Sequence, residues 1–304
     1  MVEPDHIVAV PLRHWGRWAL AGVIAILVGL LVRLVINSHF VEWHVVRQFT
    51  FNRAILGGLR NTIELSLLAQ AIGIVLGITF AVMRLSKNPV LSVVASFYIW
   101  FFRGTPVLVQ LLFWFNAVPA VFKVFAITIP FTHVSLYSTP MVQFMTPFKA
   151  ALLGLGLNEG AYMAEIVRAG ILSVDEGQTE ASLALGMTPS RTMRRIVLPQ
   201  AMRVILPPTG NEFISMLKTS SLAEAITYGE LLRKAGDIYS NNLRVVELLV
   251  VASIWYLVLT SVASVGQYYV ERRFARGSAR DLPQTPFQRI RANLAMTRRG
   301  RIEP

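Results

Sequence analysis

Six stretches of this chain are apolar enough and long enough to cross a lipid bilayer, and that restricts its fold more than any other feature. A spanning helix takes about 20 mostly apolar residues. Trp18–Ile36 meets that length, with Arg33 near its outer end. Leu65–Met83 is uncharged and extends back through Asn61 to Glu64. Pro89–Phe122 is apolar except for Arg103-Gly104-Thr105-Pro106 in its middle. Phe148–Leu172 carries Glu159, Glu165 and Arg168, and Ala201–Leu217 contains Pro207-Pro208 and Gly210-Asn211-Glu212. Leu248–Val270 is again uncharged. Charged residues make up 15% of the chain, where soluble domains carry about 25%. The mean hydropathy is +0.53. The expected fold is therefore an all-α polytopic membrane protein of about six transmembrane helices.

Charge sets the expected orientation. Six spans put both termini on one side of the membrane. Arg13 and Arg17, Arg84 and Lys87, Arg191, Arg194 and Arg195 all fall on that side. By the positive-inside rule it is the cytoplasm. Arg47 and Arg53 lie on the opposite side, and the larger cluster decides. Residues 126–146 then form an external loop with no acidic or basic residue except His133. Of the net charge of +12, much lies in 272–304, where nine arginines face Asp281 and Glu303. A basic tail after a membrane segment suits anionic lipids at the cytoplasmic face. Its few interleaved aromatics argue against nucleic acid. The first apolar run has no small-residue cleavage site at Val35-Ile36-Asn37-Ser38-His39, so a retained helix is expected.

The polar segment 173–199 has its own local logic. Ser173, with Glu176 three residues on, fits a capping box. Val174, Gln178, Ala181 and Leu185 then share one helical face. Gly186 suits the left-handed position that ends a helix. Thr188-Pro189 can begin the next helix, and Pro199 is expected to close it. The result is helix, tight turn, helix.

Within the spans, ionisable residues cost about 2.5–3.5 kcal/mol each on insertion scales and point to function. Asn158, Tyr162, Glu165 and Arg168 make one polar stripe on the fourth span. They either face a pathway or form an internal Glu165–Arg168 pair. Glu159, near the outer end, reads as interfacial. Arg103-Gly104-Thr105-Pro106 is either a boundary between an interfacial helix and a span, or a proline kink turning Arg103 and Thr105 to a polar cavity. Pro207-Pro208 with Gly210-Asn211-Glu212 reads as a second break, of the kind tolerated where it lines protein or water.

Catalytic chemistry is poorly provided for. There are no cysteines, which removes disulfides, thiol catalysis and thiolate metal sites. The five histidines (6, 14, 39, 44 and 133) show no metal spacing. The dipeptide Gly-Lys never occurs, so there is no phosphate-binding loop for ATP.

Several motifs together resemble the polar amino-acid branch of ABC importer permeases, the type that serves histidine, glutamine, glutamate or arginine. They are Arg103-Gly104-Thr105-Pro106 with Val109-Gln110-Leu111, and Ala161-Tyr162-Met163-Ala164-Glu165-Ile166-Val167-Arg168-Ala169-Gly170-Ile171. Gly177-Gln178-Thr179-Glu180-Ala181, Gly210-Asn211-Glu212-Phe213-Ile214 and Lys218-Thr219-Ser220-Ser221-Leu222 complete the set. Glu180 to Pro199 is similar to the family's coupling pattern E-A-A-x3-G-x9-I-x-L-P. The resemblance covers roughly 55–272. Two positions depart from it: Ser182 stands where alanine is usual, and Thr219 where a carboxylate or amide is. The 126–146 loop is also longer than usual.

The resemblance implies a five-helix type I permease core over 55–272, preceded by one extra span. The full division is a cytoplasmic tail 1–16, the extra helix and external linker 17–54, the core with its loop 173–199, and a basic tail 273–304. It implies a polar or charged amino acid as substrate, two ATP-binding subunits, a second permease, identical or related, and an external solute-binding protein. ATP and magnesium would sit on the partner ATPase, with no cofactor on this chain. Glu180, Ala181, Ser182, Gly186, Met187 and Pro189 would dock on that ATPase. Arg103, Thr105, Asn158, Tyr162, Glu165 and Asn211 are the candidate substrate pathway. A stand-alone channel or secondary carrier would need its own coupling groups and ideally an internal repeat. A membrane scaffold without transport is the other rival.

Overall fold

A computed structural model describes residues 15–37, 41–128 and 135–274. Helix α1 spans Trp15–Asn37, α2 Trp43–Thr50 and α3 Arg53–Arg84. The bent third region comprises α4 (Pro89–Gly104), α5 (Val107–Leu112), a π-helical turn and α6 (Val118–Val121). Strands β1 (Val124–Thr128) and β2 (Ser135–Pro140) follow, then α7 (Met141–Phe144) and α8 (Pro147–Leu172). The polar loop holds α9 (Glu176–Ala184) and α10 (Pro189–Thr192), and α11 spans Leu198–Thr219. A 3-10 turn, Ser220–Ile226, leads to α12 (Leu231–Asn242) and α13 (Val245–Phe274).

Each expected span is helical, but they are not equivalent. By length and composition α3 and α13 can cross a membrane alone, and α4 with α5–α6 is long and apolar enough only as a pair, bent by 102° at the break. In α1 the apolar part is Trp18–Leu30. Helices α8 and α11 have 26 and 22 residues, about 39 and 33 Å at 1.5 Å per residue. They are long enough to cross, but carry the charged residues. The mostly helical expectation holds. The addition is the antiparallel pair β1–β2, which begins at Val124, just before the segment 126–146 read as a loop.

The centre of the molecule is the contact between α3 and α8, which run parallel. Gln70 meets Glu159, and a side chain at Gly77 would meet Met163. A methyl group at Gly77 would lie 2.9 Å from the backbone carbon of Met163. Only a residue without a Cβ lets the two backbones come this close. Around this contact Leu65, Ala69, Leu111, Ala151, Leu155 and Ile226 form one apolar core. Val46, Ile55, Leu231, Leu248 and Val251 form another, at the α2–α12–α13 end. Helix α11 returns past α8, with Gly170 against Ile205 and Ala201.

Helix α2, within the expected linker, packs on α13. The Trp255 indole donates to the Thr50 carbonyl at 2.7 Å, the Glu42 amide donates to Glu247 at 3.2 Å, and Arg244 pairs with Glu42. Glu230 caps α12: its carboxylate accepts from the Leu232 and Arg233 amides at 2.9 and 2.6 Å and from the Tyr256 hydroxyl at 2.7 Å. Burial pushes that carboxyl above the usual carboxylate range, against the pull of these donors. The described residues of α1 are exposed along its length.

Two local expectations are corrected. Pro207 and Pro208 do not break α11, which stays continuous. Gln267 of α13 donates to the Pro207 carbonyl at 3.0 Å, and the Thr209 hydroxyl to that of Ile205 at 2.8 Å. Pro199 does not close α10 either. A π-helical turn, Met193–Val197, joins α10 to α11, and Pro199 lies in the first turn of α11, where a missing amide costs little. The tail arginines from Arg276 onward, Arg13 and His133 lie outside the described residues.

Overpacking a close contact costs about 1–3 kcal/mol. Gly77→Ala should therefore lower the thermal stability of the detergent-purified protein. Gly57→Ala, with nothing within 4 Å, should leave it unchanged or slightly raised.

Candidate substrate passage and coupling loop

The corner between α4 and α5 shapes the middle of the molecule. Pro106 has no amide to donate, so α4 must end, and its last carbonyls need other donors. Gln110 supplies them. Its amide nitrogen lies 3.0 Å from the Phe102 carbonyl, 3.1 Å from that of Thr105 and 2.7 Å from the Thr105 hydroxyl. Asn158 of α8 donates to the Phe102 carbonyl at 2.7 Å. The Thr105 hydroxyl donates to Phe101 at 2.9 Å. Of the two readings of this tetrapeptide, the structure has a corner that turns the helix, with Thr105 and Asn158 engaged in holding it.

Arg103, exposed at the end of α4, stands over the Tyr162 ring with its guanidinium carbon 5.1 Å from the centroid. Glu212 of α11 is within electrostatic reach of Arg103, and Glu159 within reach of Glu212. Glu159 is not interfacial: it is 4% exposed, and accepts from Gln70 of α3 at 3.1 Å. Its position on α8 faces Gly73, where the missing side chain makes room for it. Gln70 Oε1 and Gln110 Oε1 are buried acceptors without a donor among the described residues. The expected residues Arg103 and Tyr162 thus come together. Gln70, Gln110, Glu159 and Glu212 are not among the pathway residues expected from the sequence. An amide or carboxylate within an apolar span was the available signal.

Further along α8, Glu165 has two partners. One oxygen pairs with Arg84 of α3, and the other accepts from Arg168 at 2.9 and 3.1 Å. The internal pair with Arg168 is present, and Arg84 adds a tie between helices. The Ser92 hydroxyl donates to the Arg84 carbonyl at 3.4 Å. Asn211 accepts from Gln267 of α13 at 3.1 Å.

The loop begins two residues later than expected. Asp175 is the N-cap of α9 and accepts from the Gly177 amide at 2.8 Å. Ser173 instead caps the end of α8 and donates to the Gly170 carbonyl at 2.7 Å. Asp175 competes better for the cap because its carboxylate also meets the positive end of the helix dipole. The far end follows expectation. Gly186 has φ +77°, the Met187 amide donates to the Ser182 carbonyl at 3.1 Å, and the Gly186 amide donates to that of Leu183 at 2.9 Å. That pair of bonds is the Schellman closure.

Ser182 is buried. Its Oγ lies 2.8 Å from the Thr179 carbonyl and 2.9 Å from the Thr192 hydroxyl, joining α9 to α10. Glu180, Ala181, Gly186 and Pro189 are exposed, Met187 is half-buried, and Leu185 is 83% exposed. The face expected from Ala181 and Leu185 thus points away from the rest of the chain.

The profile described as "Binding-protein-dependent transport system inner membrane component" matches residues 73–276. The chain belongs to that family. It is 48% identical to the arginine transport system permease protein ArgU of Corynebacterium glutamicum, over 92% of this chain and 87% of that protein. It is 38% identical to the L-cystine transport system permease protein TcyB of Bacillus subtilis, over 78% of this chain and 92% of that one. Among solved structures it is similar to an amino acid ABC transporter crystallised with histidines, at 37% identity and a TM-score of 0.63, covering 75% of this chain and 97% of that one. The MetNI methionine ABC transporter, at 18% identity and a TM-score of 0.59 over 73% of this chain and 97% of that one, shows the fold alone. The protein is thus a multi-pass inner-membrane permease subunit of an ABC transporter, a family that works with ATPase partners and a substrate-binding protein.

A left-handed backbone costs a residue with a Cβ roughly 1–2 kcal/mol. Gly186→Val should therefore abolish ATP-driven uptake by reconstituted transporter while membrane insertion stays normal. Gly186→Asn, which tolerates this conformation, should retain most of it.

Proposed function

We propose that this chain is the permease of an ATP-driven importer for a polar or charged amino acid. The observation that carries the reading is the Arg103 guanidinium over the Tyr162 ring, 5.1 Å from its centroid beside the α4–α5 corner, with the buried carboxyl of Glu159 on the same helix as Tyr162. An amino acid brings an ammonium and a carboxylate. Glu159 and Glu212 suit the ammonium or a cationic side chain, and Arg103 suits the carboxylate. Tyr162 provides an aromatic wall beside them. Thr105 and Asn158 hold the corner in shape, Asn211 steadies α11 through Gln267, and Glu165 with its two arginines gathers α3 and α8 at the inner mouth. The similarity to permeases named for arginine, cystine and glutamine supports the substrate class.

In this reading two ATP-binding subunits hold ATP and magnesium, and a second permease, identical or related, completes the passage. Glu180, Ala181, Ser182, Gly186, Met187 and Pro189 present the docking segment to the ATPase. Both termini and the α9–α10 loop face the cytoplasm, and the β1–β2 hairpin faces outward with the binding protein. The basic tail meets anionic lipid.

A hydrogen bond to a charged group contributes about 1.5–3 kcal/mol, roughly ten- to a hundredfold in rate. Glu159→Gln keeps the bond to Gln70 and removes the charge. It should lower uptake of radiolabelled amino acid into proteoliposomes by that factor, with complex assembly unchanged. Arg103→Gln should do the same. Normal uptake by both variants would overturn the assignment of the passage.

A further inference from the structure

The β1–β2 hairpin carries none of the residues assigned above to the passage or to the coupling loop. Its register pairs Phe125 with Thr139 and Ile127 with Tyr137, which puts these four residues on one face. Val124, Ala126, Ser138 and Pro140 occupy the other. Phe125 stacks on Phe144 at 3.9 Å, and beyond their own pairing the strands pack chiefly on α7. The remaining apolar side chains are uncovered: Leu136 is 69% exposed, Val124 55%, Ile127 51% and Tyr137 50%. A two-stranded ribbon is marginal in water without a third surface to pack on.

We propose that this third surface is the lipid bilayer, and that the hairpin is an interfacial anchor lying in the headgroup region. Its position is the first argument. It continues the exposed apolar side of α5–α6, where Val109, Phe113, Val121 and Phe122 face outward, and it returns through α7 to the first turn of α8. Both attachments are ends of spanning segments, so the ribbon is tethered at the membrane boundary. Its chemistry is the second argument. Tyr137 carries the amphipathic ring favoured at a membrane–water interface, and Phe122, Phe125 and Phe144 add apolar area beside it.

Charge is the third argument. Between Arg103 and Glu159 the chain has no carboxylate, and its two cations are Lys123 and Lys149. Lysines on apolar stems reach lipid phosphates while their stems stay in the apolar zone. Lys149 has its ammonium 3.9 Å from the centroid of the Phe144 ring. A water-facing or acid-binding surface gives no reason for four exposed apolar side chains on a ribbon this small. The side of the membrane follows the orientation proposed above; the depth does not depend on it.

The chain has no cysteine, so single cysteines report cleanly. Leu136→Cys and Ile127→Cys, each labelled with an environment-sensitive fluorophore, are placed in the assembled transporter with its ATPase. The vesicles are phosphatidylcholine and phosphatidylglycerol, doped with lipids carrying a nitroxide at the headgroup or deep in the acyl chain. Val262→Cys on α13, 68% exposed, is the deep reference. Positions 136 and 127 leave opposite faces of the ribbon, so the anchor requires blue-shifted emission at one of them or both, quenched more by the headgroup nitroxide than by the deep one, with the reverse order at 262. Water-like emission without quenching at both overturns it. Blue-shifted emission that no nitroxide lipid quenches overturns it too, because a protein then covers the hairpin. Fluorophore depth is read without uptake, so failure here is distinguishable from failure of the transport reading.

Discussion

A backbone carbonyl with no donor inside a bilayer costs several kcal/mol, and the corner at Gly104–Pro106 creates a group of them. The way they are satisfied organises the rest of the passage. Gln110 reaches back from α5 and Asn158 reaches across from α8 to the same Phe102 carbonyl. Three helices are thereby fixed at one point. That point sets where Arg103 ends up, over Tyr162 one turn along α8 from Asn158. Without the corner, the broken span would be one apolar helix with no polar end to offer a solute.

The second consequence runs along α8 and α11. Both carry charged groups of the proposed passage, Glu159 on one and Glu212 on the other, and both lead directly into the polar loop. The cap at Asp175, the Schellman closure at Gly186 and the Ser182–Thr192 contact make that loop compact. The π-helical turn passes it into α11 without a chain break. In the proposed coupling, a push on the exposed tip at Leu185 would be passed to two helices that bear the polar groups. The parallel α3 would share that motion, because it is packed on α8 at Gly73 and Gly77 and tied to it through Arg84 and Glu165.

Much of this was legible in the sequence, for identifiable reasons. Spans are read from apolar length, and a bilayer enforces that rule strictly. Gly186 was legible because a left-handed residue after a short helix has few substitutes. What depends on tertiary contacts was not legible. The choice between Ser173 and Asp175 as cap turns on where α8 ends. That α11 stays continuous through Pro207-Pro208 could not be read from the dipeptide, which by itself predicts a break. Glu159 looked interfacial because its surroundings are set by a glycine on another helix. The hairpin was hidden because alternation in five- and six-residue strands is weak beside apolar helical runs.

The central claim is that Tyr162, beside Arg103, lines a water-filled passage and does not face lipid or dry protein. Substituted-cysteine reactivity tests it directly. Tyr162→Cys and Val75→Cys, the latter on the exposed apolar side of α3, are treated with a small water-soluble thiol reagent in the assembled transporter. The account predicts fast modification at 162 that amino-acid substrate slows, and little at 75. Reactivity at 162 no greater than at 75, with or without substrate, would contradict it.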